Sequence, residues 1–344
     1  MAEAMTDKEH RAFVRRLKAD LDREAESLTP ENARYLVDIY YQQQEDRKRA
    51  ANQARAAGDD DEPHFLVAWL AAEFKALENL VKHVMDVYTN QFVVTRWAKS
   101  LFGVGPVLTA GIFAHIDINR APTAGSLWRL SGYDPTVIWT GSAETEKILK
   151  NILRERRKKD KIGNKSAISE EEIAAVAAFF GRNVKTLIKD ATTSKTGKPR
   201  QLNVENLVKA TARRPWNSRL KTLLWKFADV QKKFSGNEKC FYGRLYKEYK
   251  TNLKMRNENG DFAEAAAEVL KKKPSHKQKA AYAEGKLPDG HLDARAMRWV
   301  SKLFLSHLHT VYYEATFNEP APKPYVIAHL NHVHMIEVPN WPMT

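Results

Sequence analysis

The run Leu101-Phe102-Gly103-Val104-Gly105-Pro106-Val107-Leu108-Thr109-Ala110 permits few local structures. Glycines on either side of one apolar residue let the backbone take positive φ and reverse sharply. Pro106 sits where a helix opens, a place that loses no hydrogen bond the first turn needs. The run therefore reads as the end of one helix, a short hairpin and the start of a second helix. Such a corner presents backbone N–H groups at a helix N-terminus, a ready site for an anion. A Gly-h-Gly hairpin between helices is the pattern of a helix-hairpin-helix element, which holds a nucleic-acid phosphate without reading bases. The same residues also suit a ligand-free helical corner. Gly103, Gly105 and Val107 are the candidate phosphate contacts.

The rest of the composition agrees with helices. Fifteen Gly and 14 Pro in 344 residues are too few for the many tight turns of an all-β fold. The length suggests two or three domains. A single cysteine, Cys240, rules out an intramolecular disulfide and points to a reducing compartment. Residues 1–10 hold no apolar signal core and no run approaches bilayer-spanning length, so the expectation is a cytoplasmic protein with no membrane partner. The formal charge of +14 is unevenly placed. Residues 141–260 carry 29 Lys+Arg against 13 Asp+Glu, whereas residues 1–140 carry 17 against 20. A basic excess focused in the middle third points to a polyanion partner, with DNA favoured over RNA, bound with strong salt dependence. A solubilising surface is the plainer alternative.

Taken in order, residues 1–62 read as a helical arm, with Thr29-Pro30 opening its second helix. This arm is a candidate for homo-oligomer formation. Gly58-Asp59-Asp60-Asp61-Glu62-Pro63 is a solvated acidic linker. Residues 63–142 hold a long helix or helix pair, with Leu66, Trp69, Leu70, Phe74, Leu77, Val81, Val84 and Tyr88 at helical spacing, and then the glycine hairpin. Residues 143–213 are a basic insertion. Its first helix, Glu144 to Lys161, carries Arg154, Arg156, Arg157 and Lys158. Ser169-Glu170-Glu171-Glu172 looks like a helix start, and Ala177, Gly181 and Leu187 have the spacing of a helix-turn-helix. Its second helix would turn Arg182, Asn183, Lys185, Thr186 and Lys189 toward DNA. An ordinary helical hairpin capped by Gly181 fits equally well. Thr192 to Arg200 reads as a polar basic loop, mobile without a ligand. Residues 214–317 return to long helices, and 318–344 form a tail. In that tail, His329, His332 and His334 with Glu337 form a weak metal pattern that lacks cysteine partners, so no metal or other cofactor is expected. Trp139 and Trp216, beside loop signals, are candidates for stacking on bases.

Five blocks in order resemble the C-terminal domain of the Piv/MooV-type invertases and bridge-RNA-guided insertion-sequence transposases. They are Phe102–Ala110, Thr123-Ala124-Gly125-Ser126-Leu127 through Gly132-Tyr133-Asp134-Pro135, Trp216–Lys221, Phe241–Leu245 and Val300–Leu303. The resemblance covers roughly residues 92–142 and 214–317. It implies a helical transposase-like domain interrupted by the basic insertion. That family also has a strand-rich nuclease half with four metal-binding acids, whereas residues 1–95 here read as helical. Asp20, Asp22, Asp38 and Asp86 fall in amphipathic or charged helical contexts and are expected to be surface groups. The family's serine nucleophile falls at Thr140, with Ser142 just beyond. Neither can be paired with a base from sequence, so the balance leans away from an enzyme. The expected fold is mainly α. The expected function is nucleic-acid binding, with Arg213, Arg214, Arg219 and Lys221 joining the cations above. The alternatives are a recombinase or transposase component using Thr140 or Ser142, and an assembly protein built on the arm.

Overall fold

Helical periodicity carries through to the architecture. The computed structural model describes residues 20–57, 64–160, 167–194, 196–272, 275–323 and 336–343, which form fifteen helices, one of them 3₁₀, and no strand. The acidic linker at 58–63 and the histidines His329, His332 and His334 lie outside the described residues. No helix among the described residues is long and apolar enough to cross a membrane. The chain divides into two compact units, one made of Met1–Leu127 with Thr222–Thr344 and the other of Trp128–Lys221.

In the first unit, α1 (Pro30–Ala57) and α2 (His64–Asn90) pack along each other. The α1 start is set as the sequence suggests: the Asn32 N–H donates to the Thr29 hydroxyl at 3.2 Å and the Thr29 N–H to the Asn32 side chain at 3.3 Å. Glu78, buried on α2, accepts from Arg47 of α1 at 2.5 Å, so the helical pair is pinned by charge as well as by apolar contact. Asp20 and Asp86 make ion pairs with Arg23 and Lys99, and Asp22 is hydrogen-bonded to His83 Nε2 at 2.5 Å. The periodic stretch 64–100 is two helices. α2 stops at Asn90 and α3 (Val93–Ser100) begins after a two-residue break, across which the Thr95 hydroxyl reaches the carbonyls of Thr89 and Phe92. α4 (Pro106–Phe113) follows the glycine turn, with every residue after the proline buried.

The longest helix of this unit, α14 (Asp289–Phe317), carries the centre of its core. Phe304 on α14 stacks on Phe227 at 4.1 Å and on Trp97 at 6.1 Å between centroids, with Tyr242 edge-on at 5.8 Å. α10 (Ser218–Lys233) and α11 (Phe241–Glu258) supply Phe227 and Tyr242. α12 (Ala263–Lys272) and α13 (Lys279–Ala283) are shorter and lie toward the start of α14 in sequence. The chain end is tied to this core. The Trp97 indole donates to the Pro339 carbonyl at 2.7 Å, and His307 Nε2 donates to the Ile336 carbonyl at 3.0 Å.

That donation leaves His307 Nδ1 to accept from the Tyr242 hydroxyl at 2.8 Å, a bond that a protonated ring cannot make. Burial pulls the His307 pKa down to about 4, and the bond to Ile336 only partly offsets it. A folded-state pKa below the unfolded value means stability present above pH 6.5 and lost as pH falls toward 4. The linkage is worth about 2 kcal/mol between pH 7 and 5 for a group this buried. Thermal melts of the protein should therefore show a falling Tm over that range, and His307→Gln should flatten the dependence. An unchanged pH profile in the variant would overturn this account.

Candidate nucleic-acid interface

The glycine hairpin forms between α3 and α4, but its two glycines do different work. Gly103 takes φ +78, and a Cβ there would lie 2.7 Å from the Val230 side chain. Gly105 caps α4 with φ −94 and ψ 173, an extended conformation open to any residue, and a Cβ there would meet nothing within 4 Å. The expectation of positive φ at both glycines is thus corrected: one left-handed residue suffices, because the Val104 N–H closes the turn on the Leu101 carbonyl at 3.1 Å. Gly103 and Gly105 are exposed, while the Val107 side chain is buried. No side chain caps the N–H groups that open α4.

Most of the net positive charge lies in the second unit, Trp128–Lys221, whose sequence holds 21 Lys+Arg against 10 Asp+Glu, a net +11 of the chain's +14. It is built from α6 (Ser142–Asp160), α7 (Glu170–Phe179), α8 (Val184–Thr192) and α9 (Val204–Ala212), after the end of α5 (Ala124–Ser131). Leu149, Leu153, Ile173, Val176, Phe180, Leu187 and Leu207 make its core. α7 opens with a full capping box in which the Ser169 hydroxyl accepts from the Glu172 N–H and the Glu172 carboxylate from the Ser169 N–H. That carboxylate also accepts from Arg157 Nε at 2.6 Å, with both side chains under a tenth exposed. Burial works against the Glu172 charge, but Arg157 and the Ser169 N–H outweigh it and hold the carboxyl below its ordinary range. Arg157 therefore leaves the set of candidate nucleic-acid contacts. Among its neighbours on α6, Arg154 and Lys158 are exposed and Arg156 is half-buried.

The two ends of this unit are clasped together. The Asn217 N–H donates to the Leu130 carbonyl at 2.8 Å and Lys221 Nζ to the Gly132 carbonyl at 3.0 Å, across 89 residues of sequence in the latter case. Gly132, at φ +72, ends α5, and a Cβ there would sit 2.6 Å from the Trp216 ring. Trp216 meets Trp139 edge to face at 5.8 Å and 70°. The Trp139 indole donates to the Ala212 carbonyl at 2.7 Å while the residue stays 36% exposed, so the ring is fixed and still presents a face. Arg214 lies 5.3 Å from the Trp139 ring and Lys221 Nζ 4.5 Å from the Trp216 ring. Arg213, Arg214 and Arg219 are exposed on the same segment.

The helix-turn-helix spacing corresponds to α7, a turn and α8. Gly181 takes φ +62, where a Cβ would strike the Thr136 carbonyl oxygen at 2.6 Å, and the Arg182 N–H returns to the Ala177 carbonyl at 2.7 Å. Arg182, expected to face DNA, instead donates to the carbonyls of Thr211 and Arg213, and burial draws its guanidinium below the usual value. It fastens α8 to the end of α9. Lys185, Thr186 and Lys189 are exposed, with Leu187 and Ala191 turned inward. Thr140 and Ser142, the candidate nucleophiles, lie at the start of α6. The Thr140 hydroxyl faces the Thr145 hydroxyl at 2.7 Å, a pairing with no proton acceptor of a base's strength, and Ser142 is exposed.

Sequence reasoning missed a turn. The basic loop after α8 is a small hairpin: Thr193 bridges Pro199, the Ser194 N–H donates to the Lys198 carbonyl at 2.8 Å, and the Arg200 N–H to the Thr192 carbonyl at 2.6 Å. Its Lys198 and Arg200 are exposed. The available signal was Gly197, at φ +79, three residues after a serine whose hydroxyl accepts from the Lys198 N–H. No known family model, curated protein or solved structure matches the chain.

Two substitutions separate structural from exposed cations. Arg157→Leu leaves Glu172 buried without its partner and should cost about 3–5 kcal/mol by chemical denaturation, whereas Arg154→Ala should change stability by less than about 0.5 kcal/mol. Equal costs would show that Arg157 is not the buried partner the geometry makes it.

Proposed function

We propose that the protein binds nucleic acid, DNA before RNA, chiefly through its phosphate backbone. One observation carries the reading: the second unit holds most of the chain's net positive charge and sets Arg214 and Lys221 against the fixed rings of Trp139 and Trp216. Cations next to immobilised rings suit a polyanion whose bases can stack, and contacts of this kind position a strand without specifying sequence. The glycine hairpin, read as a helix-hairpin-helix, supplies a further phosphate contact at Gly105. The five sequence blocks support a transposase-like domain. Two of them, ending at Pro135 and beginning at Trp216, meet in the clasp that closes the basic segment as an insertion. A role without strand chemistry fits Thr140 better than nucleophilic catalysis, since its hydroxyl partner is another hydroxyl.

Anisotropy titrations of duplex, single-stranded and four-way-junction DNA and of structured RNA across a salt series test the reading. With four to six phosphates neutralised, log K should fall against log salt with a slope of about −4 to −5. Gly105→Asp places a carboxylate where nothing is struck and should weaken binding about tenfold with the Tm unchanged or raised, since Asp caps a helix well. No binding at low salt would overturn the proposal.

A second reading, assembly through the arm, rests on the exposed residues Phe65, Leu66, Trp69 and Leu70 near the start of α2. Two copies pairing along this stripe would bury it. Sedimentation of the parent and of Trp69→Glu should then show a dimer that becomes a monomer. A monomeric parent removes this reading.

A further inference from the structure

We propose that residues 183–194 and 196–200 act as one two-part reading element for B-form duplex DNA, with α8 entering the major groove and the hairpin after it gripping the adjoining backbone. The inference rests on the nucleic-acid reading above and assigns that function to a particular surface and a particular ligand. Three observations carry it.

First, α8 is held from behind. Val184, Leu187, Ile188 and Ala191 pack into the unit's core, and Arg182 anchors the start of the helix to the carbonyls of Thr211 and Arg213. Its outer face is left to Lys185, Thr186 and Lys189, which follow one another at i, i+1 and i+4. Second, the hairpin is continuous with that helix. The Arg200 N–H bonds to the carbonyl of Thr192, the last residue of α8, so Lys198 and Arg200 are carried at a fixed place beyond the helix end. Third, the acids nearby are engaged elsewhere. Asp190 on α8 faces Arg213 at 3.5 Å, and Glu205 on α9 pairs with Lys209 at 2.5 Å. Glu172 on α7 is buried with Arg157.

The ligand follows from groove dimensions. A helix of about 10–12 Å diameter fits the B-form major groove, about 12 Å wide. The major groove of A-form RNA is too narrow to be read by side chains. Lys185 and Lys189 then contact base edges or flanking phosphates, and Lys198 and Arg200 contact phosphates only.

The test compares salt-dependent binding of the full chain to a DNA duplex and to the RNA duplex of the same sequence. The variants are Lys185→Ala/Lys189→Ala, Lys198→Ala/Arg200→Ala and, as a charge-matched control elsewhere on the unit, Lys147→Ala/Lys150→Ala. All six side chains are exposed, so folding is preserved and checked by thermal melts. Each of the first two pairs should weaken DNA binding about tenfold, and the hairpin pair should also make the salt slope shallower by about 1.8, that is 0.9 per lost phosphate contact. The control should do neither, and binding to duplex RNA should be weaker from the outset. Equal losses from the control pair, or equal losses on RNA and DNA, overturn the reading element while leaving general nucleic-acid binding in place. A hairpin pair without effect overturns its two-part character. A parent that binds no duplex overturns both proposals.

Discussion

The close approach of Trp216 to Gly132 governs the geometry of the basic unit. The ring occupies the volume that any side chain at 132 would fill, and the same residue ends α5 with a left-handed turn. Glycine is the one residue that meets both conditions without strain. From this contact the rest follows by adjacency. Trp139 meets the edge of Trp216, Arg214 and Lys221 lie over the two rings, and the Lys221 ammonium also bonds the Gly132 carbonyl. Nearly ninety residues of strongly basic chain are thus closed at their base by a contact that depends on having no side chain. Like charges repel within such a unit, and a closed base lets them be held apart on its surface without opening the core.

The cations of this unit divide into those that hold the fold and those that face outward, and burial decides between them. A guanidinium taken from water costs several kcal/mol unless hydrogen bonds replace its hydration. Arg157 recovers that cost from the Glu172 carboxylate, whereas Arg182 recovers only part of it from two carbonyls at a helix end, its buried Nε having no partner. Neither is disposed toward a phosphate, since contact with one would require breaking these bonds. Arg154, Lys158, Lys185, Lys189, Lys198 and Arg200 are exposed, so a polyanion can take the place of their water at modest cost.

Local chemistry was legible in the sequence wherever a residue acts on its own neighbours. Thr29 and Ser169 cap the helices they precede, and Gly181 ends α7 as its spacing suggests. Signals that depend on distant partners were not. Arg157 and Arg154 lie three residues apart on one basic helix, and only the position of Glu172, fifteen residues further on, distinguishes them. The periodicity from His64 to Ser100 left one helix or two open, because the break at Gln91-Phe92 carries no apolar mismatch. Thr192 to Arg200 looked unstructured because its order comes from backbone bonds across a turn, which leave no apolar pattern.

The paired glycines at 103 and 105 show how the demands of the fold can be separated from those of a ligand. Gly103 is explained by the chain itself, since its φ is left-handed and Val230 occupies the space beside it. Gly105 has no such explanation: its backbone suits any residue, and a Cβ would meet no atom. Glycine is an acceptable helix cap, yet serine or aspartate would satisfy the first N–H groups of α4 and add stability. Nothing in the fold therefore calls for glycine at 105, whereas position 103 requires it.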